Sequence, residues 1–449
     1  MSRRRRNALI LALSSLCVVG FGGASTLANA KGDATNERGT LQIMGFGTPD
    51  EVATVRVGRA ERDIAPTKLQ IIRGGFDQQQ FLSAVAAGNP PDLIYVDRQL
   101  IGTFAHRRAI LPLTSCIRSE RFPMNHFRSS AIREVTYRGA VYGIPEFFTN
   151  RVVYVNNRAL RAAGVKVQDL NTANWTKLRA TSRKLMRRSG GKVTRIGFDP
   201  KLPEFFPLWA KANGHEIISR DGRRARLDHP KAIQALQFAM SLIDQHGGWG
   251  QFKSFRDTWD FFGAKNQVAT NQVGAWPMES WYLNVLAQNS PGVSVTLVPF
   301  RNKIGNALNW ASGNAWAIPR GADDQGAACE WMRTMTRWET WMAAARARVA
   351  ALKQNNRPFT GLYTGNRVAD DRILRQVYEK SGRPGFDQGV ATMVRVQRFA
   401  WTLPGSPAGA EFQTAWRDAV NRVLNRQQSP AAALRQAQRE AQAALNRAG

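Results

Sequence analysis

The chain is 449 residues long, 43% hydrophobic, and carries 63 Lys and Arg against 33 Asp and Glu, a formal net charge of +30. That length and apolar content allow two or three domains with full cores and exclude a chain too polar to fold. Of its three cysteines, one falls in an N-terminal leader, and the two that remain are too few for a structural zinc site.

Arg3–Arg6, an apolar run from Ala8 to Val19, and small residues ending Ala28-Asn29-Ala30 open the chain. A basic region, a short apolar region and an A-x-A site read as a secretory signal peptide over residues 1–30, too short for a membrane span. Arg5-Arg6-Asn7-Ala8-Leu9 loosely fits a twin-arginine export signal, while Leu16 before Cys17 argues against a lipoprotein anchor. No later segment approaches ~18 uninterrupted apolar residues, so the mature chain is expected to be exported and soluble.

Export places the remaining Cys116 and Cys329 where disulfides persist, which leaves a bridge or two isolated thiols open. Four of the positive charges belong to the leader, and the basic pairs Arg107-Arg108, Arg187-Arg188 and Arg223-Arg224 are scattered. A positive field attracts polyanions. The chain has no zinc-finger, basic-zipper or RNP pattern, so an Arg-rich solvated surface suited to an acidic envelope is expected, with no nucleic-acid partner.

In chain order, Leu41 to Met44 reads as a first strand, followed by Gly45-Phe46-Gly47. Asp50 stands where a dinucleotide turn needs its third glycine, so no such cofactor is expected. Lys68 to Ile72 alternates as a second strand, and Asp77 to Ala87 reads as a helix with Phe81, Leu82 and Val85 on one face. After the turn Asn89-Pro90-Pro91-Asp92 comes a short buried strand, Leu93 to Val96. Strands alternating with helices argue for an α/β unit. Asp97 and Arg98 follow that strand's carboxyl end, where ligands collect in open α/β sheets.

Gly143 and Pro145 punctuate the next stretch, Val152 to Val155 reads as a strand, and Asn156-Asn157 caps a helix from Arg158 to Ala163 that stops at Gly164. A helix opened by Asn174-Trp175 is expected to run to Arg188. Asp228 is expected to cap a helix with Pro230 in its first turn, ended by Gly247-Gly248. Ser189-Gly190-Gly191-Lys192 lacks the first glycine and last hydroxyl of a phosphate loop, and the five histidines have neither metal nor triad spacing. The densest aromatic region runs from Trp249 to Trp316. Helices follow over 324–348 and from Glu411, and Ser429-Pro430 opens a last one.

Several of these stretches, in this order, resemble the extracellular solute-binding proteins of ABC importers, in the group that includes the maltose-binding protein. They are Ala86-Ala87-Gly88-Asn89-Pro90 with Asp92, the crossover strand with Tyr154, Asn156 and Gly164, the Ala212-Asn213-Gly214 turn, and Gly274–Trp281. The return stretch Ser312–Gly321, ending Ile318-Pro319-Arg320-Gly321, and the Ser-Pro entry to the closing helix complete the likeness. His215 and Ser280 stand where that family has glycines.

The resemblance implies two α/β lobes of the periplasmic-binding-protein type II fold, joined by three crossover segments with a ligand cleft between them. It divides the chain into an N-terminal lobe, 38–148 and 313–354, and a C-terminal lobe, 149–312 and 355–449. Cys116 and Cys329 would then share a lobe. The implied function is capture of an extracytoplasmic carbohydrate by a monomer, in the periplasm or at the outer face of the cytoplasmic membrane, and delivery to ABC permease subunits. No catalysis, cofactor or metal is implied.

Trp281 is the implied stacking platform, with Trp276, Trp316 and Trp401 as lesser candidates. Covering about 100 Å² of pyranose at ~25 cal/mol per Å² gives roughly 2.5 kcal/mol, whereas micromolar binding needs about 8 kcal/mol. Polar groups must therefore grip the hydroxyls, and Glu279, Asp97 and Asn150 are the candidates. Glu204 and Phe205, before a helix, and Arg98, Phe46, Gly313 and Asn314 complete the expected ligand-binding set. Two other readings are a basic envelope protein that binds polyanions and an exported glycoside hydrolase built on Glu146, Glu204 or Glu279. A phosphorylated or acidic sugar would lie between them.

Overall fold

A computed structural model describes residues 39–449; the leader, with its export signals and Cys17, lies outside the described residues. The chain builds two five-stranded sheets. The first has the order Lys68–Ile71, Thr40–Met44, Leu93–Asp97, Asn314–Ala317, Ile144–Pro145. Its first three strands are parallel, and the return strand Asn314–Ala317 runs antiparallel to Leu93–Asp97, setting Asn314 opposite Asp97. The second sheet has the order Val295–Val298, Arg151–Asn156, Val273–Glu279, Lys192–Phe198, Arg187–Ser189.

Strand alternation sends side chains to two cores in each lobe. Leu93 and Trp316 join Leu41, Ile43 and Trp331 on one face of the first sheet, while Ile94, Val96, Ala315 and Ala317 join Phe81 and Phe104 on the other. In the second sheet Val153 and Val155 face the helices that carry Trp209, Leu236 and Trp416, whereas Val152 and Tyr154 face Trp276, Leu283 and Phe386. Both faces covered explains why Arg151–Asn156 is buried at every position and why its middle, Val152–Val155, reads as a continuous apolar run.

Side-chain caps start most of the helices. Asp50, Asp77, Asn156, Asn174, Asp324, Asn366 and Ser429 each accept a backbone N–H from the first turn, worth about 1 kcal/mol apiece. Two expectations fail locally. Trp175–Leu185 ends early, because Arg187 and Arg188 enter a strand that pairs antiparallel with Lys192–Phe198 across Gly190-Gly191. His229 rather than Asp228 caps Pro230–Asp244, its ring nitrogen accepting the Lys231 N–H.

The chain passes between the sheets three times. The first passage is Glu146–Asn150. The second runs through a small sheet of Phe300–Arg301, Ala307–Trp310 and Ala400–Trp401. The third lies between Leu352 and Phe386, a stretch that touches both sides: Phe359, Ala369 and Ile373 share a core with Val52 and Trp341, whereas Tyr363, Phe386 and Met393 pack on the second sheet. Cys116 and Cys329 are bonded within the first lobe, their Cα atoms 5.5 Å apart.

Three buried ion pairs flank the first passage: Arg56–Glu146 at 2.8 Å, Arg98–Glu134 at 2.7 Å and Arg128–Asp370 at 2.5 Å. The Arg56 guanidinium lies over the ring of Phe147, and those of Arg98 and Arg128 lie over Phe148. Gly313 has φ +151°, and a Cβ there would meet the Phe147 carbonyl at 2.1 Å, so only glycine fits where the passages touch. No helix among the described residues is long and apolar enough to cross a membrane.

Candidate functional site

The carboxyl ends of the two sheets' central strands face the passages. On the first lobe, Asp97 ends Leu93–Asp97, and its carboxylate accepts the Gln99 N–H at 3.0 Å, capping the next helix. Burial raises the Asp97 pKa, with Arg98, Arg417 and Arg151 acting the other way. On the second lobe, Glu279 ends Val273–Glu279 and pairs with Arg151 at 2.8 Å, its side chain 22% exposed. Arg151 also donates to the Trp310 carbonyl at 3.0 Å and to Ser312 Oγ at 3.1 Å. It thereby ties the first passage to the second.

The loop Asp199–Glu204 adds a further charged edge. Arg256 lies 3.3 Å from Asp199 and 3.7 Å from Glu204, with Lys201 3.9 Å from Glu204. Burial by itself would raise the Glu204 pKa, but Lys201, Arg256 and Arg417 outweigh it and hold the carboxyl below its ordinary value. Arg417, exposed on the helix Gly409–Leu424, thus acts on a carboxylate from each lobe, Asp97 and Glu204. The same helix reaches the first lobe through Gln413 to Gln99 at 3.2 Å and Glu411 to Arg107 at 2.5 Å.

Beside these charges Trp281 is half-buried, stacked on Phe262 at 5.9 Å with an interplanar angle of 18° and 6.2 Å from Phe261. The Lys201 ammonium sits 5.6 Å above Phe261. The result is a shelf of partly exposed rings next to alternating charges. Chemically, such a site can cover an apolar sugar face and bond polar hydroxyls in the same plane.

The family described as bacterial extracellular solute-binding protein matches residues 66–353. The chain belongs to that family. Among curated relatives of this solute-binding protein, a putative binding protein of Brucella abortus (strain 2308) is 27% identical over 174 residues, 37% of this chain and 39% of the relative. The arabinooligosaccharide-binding protein of Halalkalibacterium halodurans is 24% identical over 163 residues, 35% of this chain and 34% of its own length. The chain therefore matches less than half the length of these relatives. Among solved structures, CpMnBP1 with mannobiose bound has a TM-score of 0.72 at 21% identity, covering 90% of this chain and 98% of its own. The maltose/maltodextrin-binding domain MalE of Bdellovibrio bacteriovorus bound to maltotriose has 0.69 at 17%, covering 91% and 100%. These likenesses show the two-lobed type II fold.

Within this solute-binding fold the expected site residues separate by burial. Asp97, Glu204, Glu279, Trp281 and Asn314 keep accessible surface along the passages. Trp316 does not: it is fully buried between Phe46 at 4.9 Å and Tyr95 at 4.7 Å, and Phe46 is itself core. Trp276 is equally buried, stacked on Tyr154 at 5.7 Å, and Trp401 is half-buried with the Lys211 ammonium 5.2 Å over its ring. Phe205 packs in the core against Trp310, and Arg98 is consumed by Glu134 and, at 2.5 Å, by the Phe147 carbonyl.

Asn150 is buried as well, its side chain accepting from Asn309 at 2.7 Å, its N–H donating to Ser280 Oγ at 3.1 Å and its carbonyl accepting the Ser280 N–H at 2.8 Å. Its amide spaces the passages and faces no cleft. Gly313 lets them touch. Arg151, Arg256, Arg417, Phe261 and Phe262 were missed by sequence reasoning. The aromatic density between Trp249 and Trp316 was the signal for the two phenylalanines.

Proposed function

We propose that this chain is the extracytoplasmic binding component of an ABC-type importer, capturing a carbohydrate between its lobes and delivering it to membrane permease subunits. The lobes comprise roughly residues 39–148 with 313–352, and 149–312 with 386–449, with the third passage between Leu352 and Phe386. The observation that carries the reading is the helix Gly409–Leu424, which joins the lobes through Gln413 to Gln99 at 3.2 Å and sets Arg417 within electrostatic reach of Asp97 and Glu204, near the Trp281–Phe262 shelf. A ligand touching both lobes binds the closed form better than the open one, and that difference in affinity drives closure.

The charges of the cleft support a neutral polar ligand. Arg151, Lys201, Arg256 and Arg417 are matched by Asp97, Asp199, Glu204 and Glu279, so the surplus charge of the chain lies elsewhere. Hydrolysis draws no support from the three glutamates considered for it. Glu146 is fully buried against Arg56, Glu279 is held by Arg151 and Glu204 by Arg256, whereas a glycosidase needs one protonated acid facing its partner. The relatives bind mannobiose, maltotriose and arabinooligosaccharide by name. Those ligand classes define the screen.

A thermal-shift screen against mono-, di- and oligosaccharides tests the reading. A ligand at 100 times its Kd adds about 2.7 kcal/mol. Trp281→Ala should abolish the shift of the best sugar without unfolding the protein. A full shift retained in that variant removes Trp281 from the site, and no shift with any sugar removes carbohydrate.

A further inference from the structure

Beside the hairpin bridged at Ile218 and Ala225, the second lobe carries an open concavity of about 760 Å³. Its lining includes Lys211, His215, Arg220, Asp221, Arg224 and Arg226. Arg220, Arg224 and Arg226 are exposed, and their guanidinium groups make no hydrogen bond or ion pair with the described residues. Of the acidic groups here, Glu216 pairs with Lys211, while Asp221 accepts from the Ser219 hydroxyl within its own turn and keeps its charge near Arg224, so three guanidinium groups stand against one free carboxylate.

The hairpin cannot readily splay to separate its arginines. Gly222, at φ +70°, sits where a Cβ would meet the Gly405 carbonyl at 2.2 Å, and the Ser406 hydroxyl donates to the Gly222 carbonyl at 2.7 Å. Gln442 and Gln438 of the last helix accept the Ala225 and Leu227 N–H groups at 2.9 and 2.7 Å. His215 and His229 stack face to face at 4.0 Å, and His215 donates to the Arg226 carbonyl at 2.7 Å. Three unpaired guanidinium groups held around one hollow raise its potential and present forked donors that match phosphate oxygens.

We propose that this concavity is a second binding site, for a phosphate-bearing anion, independent of the sugar cleft. Its chemistry would accept either a soluble phosphate ester or the phosphodiester headgroup of a lipid. Titration calorimetry of the purified chain with inorganic pyrophosphate at low salt, and cosedimentation with phosphatidylglycerol or phosphatidylcholine vesicles, separate the two sources. Binding at either arm is expected to fall at least about tenfold in the triple variant Arg220→Gln, Arg224→Gln, Arg226→Gln, given the strength of paired guanidinium contacts. The variant Arg435→Gln, Arg439→Gln, Arg447→Gln, which removes the same charge from the exposed face of the last helix, should bind as the parent does. The sugar-induced thermal shift should survive in both variants, and the single change Arg224→Gln repeats the test should the triple variant fold poorly. Equal loss in both triple variants would assign the binding to net charge and overturn the site. So would the failure of pyrophosphate and both vesicle types to bind.

Discussion

Arg151 and Glu279 stand 2.8 Å apart where the first passage meets the end of the second lobe's central strand. The guanidinium also lies 4.1 Å over the Trp310 ring, so one side chain links both passages to the second-lobe wall of the cleft. Replacing it with glutamine leaves Glu279 without its cation at a mostly buried position. Arg151→Gln should lower unfolding stability by about 2 kcal/mol, less than for a fully buried pair because Glu279 is 22% exposed. An unchanged urea midpoint would show that the pair contributes nothing.

Arg417 is exposed, and its one ring contact, with Trp416 at 5.4 Å, lies at the surface end of a core side chain. Arg417→Ala should therefore leave the melting temperature of the sugar-free protein within a degree or two, while weakening sugar binding roughly tenfold, about 1.4 kcal/mol. Calorimetric titration against the best sugar checks it, and undiminished affinity would place the residue outside the site.

Glu134 is pushed up to about 7 by burial, against the pull of Arg98. Its folded pKa exceeds the ordinary value of 4.5, so the folded state holds the proton more tightly and stability falls as pH rises from about 4.5 through 7. Asp97, Glu146 and Asp370 are also raised by burial and act with the same sign. The difference between the parent and Glu134→Gln isolates this one group. Denaturation at pH 5 and pH 7.5 should show a smaller loss in the variant, by at most ~3 kcal/mol. Equal losses would contradict the assignment.

The Cys116–Cys329 bond closes a sequence separation of 213 residues, joining the short helix Thr114–Ser119 to Gln325–Thr336. A loop that long restricts the unfolded chain strongly, and its removal should cost about 2–4 kcal/mol. Cys116→Ser should melt several degrees lower, and reductant should lower the parent to match. Free-thiol titration of the denatured, unreduced protein would reveal two reactive groups if no bond existed.

How far the fold could be read in advance depended on whether a signal was local. The strand ending at Asp97 was plain, because a short apolar run after Pro-Pro-Asp has few other fates. Ser429 before Pro430 announced a helix start just as clearly. Arg187 and Arg188 gave the opposite impression: long polar side chains continue a helix well, and only pairing with Lys192–Phe198 makes them a strand. Trp281 and Trp316 each follow a small-residue turn and look alike in sequence. What separates them is that one ring, half-buried, sits past the strand at the start of the helix Tyr282–Asn289, while the other alternates inward between Phe46 and Tyr95. Arg417 was hidden for a related reason. An arginine on a periodic helix reads as a solvated residue until the opposite lobe supplies its carboxylate.

Phe147 and Phe148 lie wedged among three arginines, each neutralised by its own acid, and the Phe148 amide is pinned at 3.0 Å to the Tyr363 carbonyl. Those contacts hold the aromatic strip in place, and a swing of the two halves is expected to bend the chain where they end, at the rung where Thr149 and Ser312 exchange backbone bonds of 2.9 and 3.2 Å. Deuterium uptake should accordingly slow on sugar addition at Thr149 and Ser312 while Phe147 and Phe148 stay equally guarded with or without it. The reverse pattern would move the pivot into the aromatic strip.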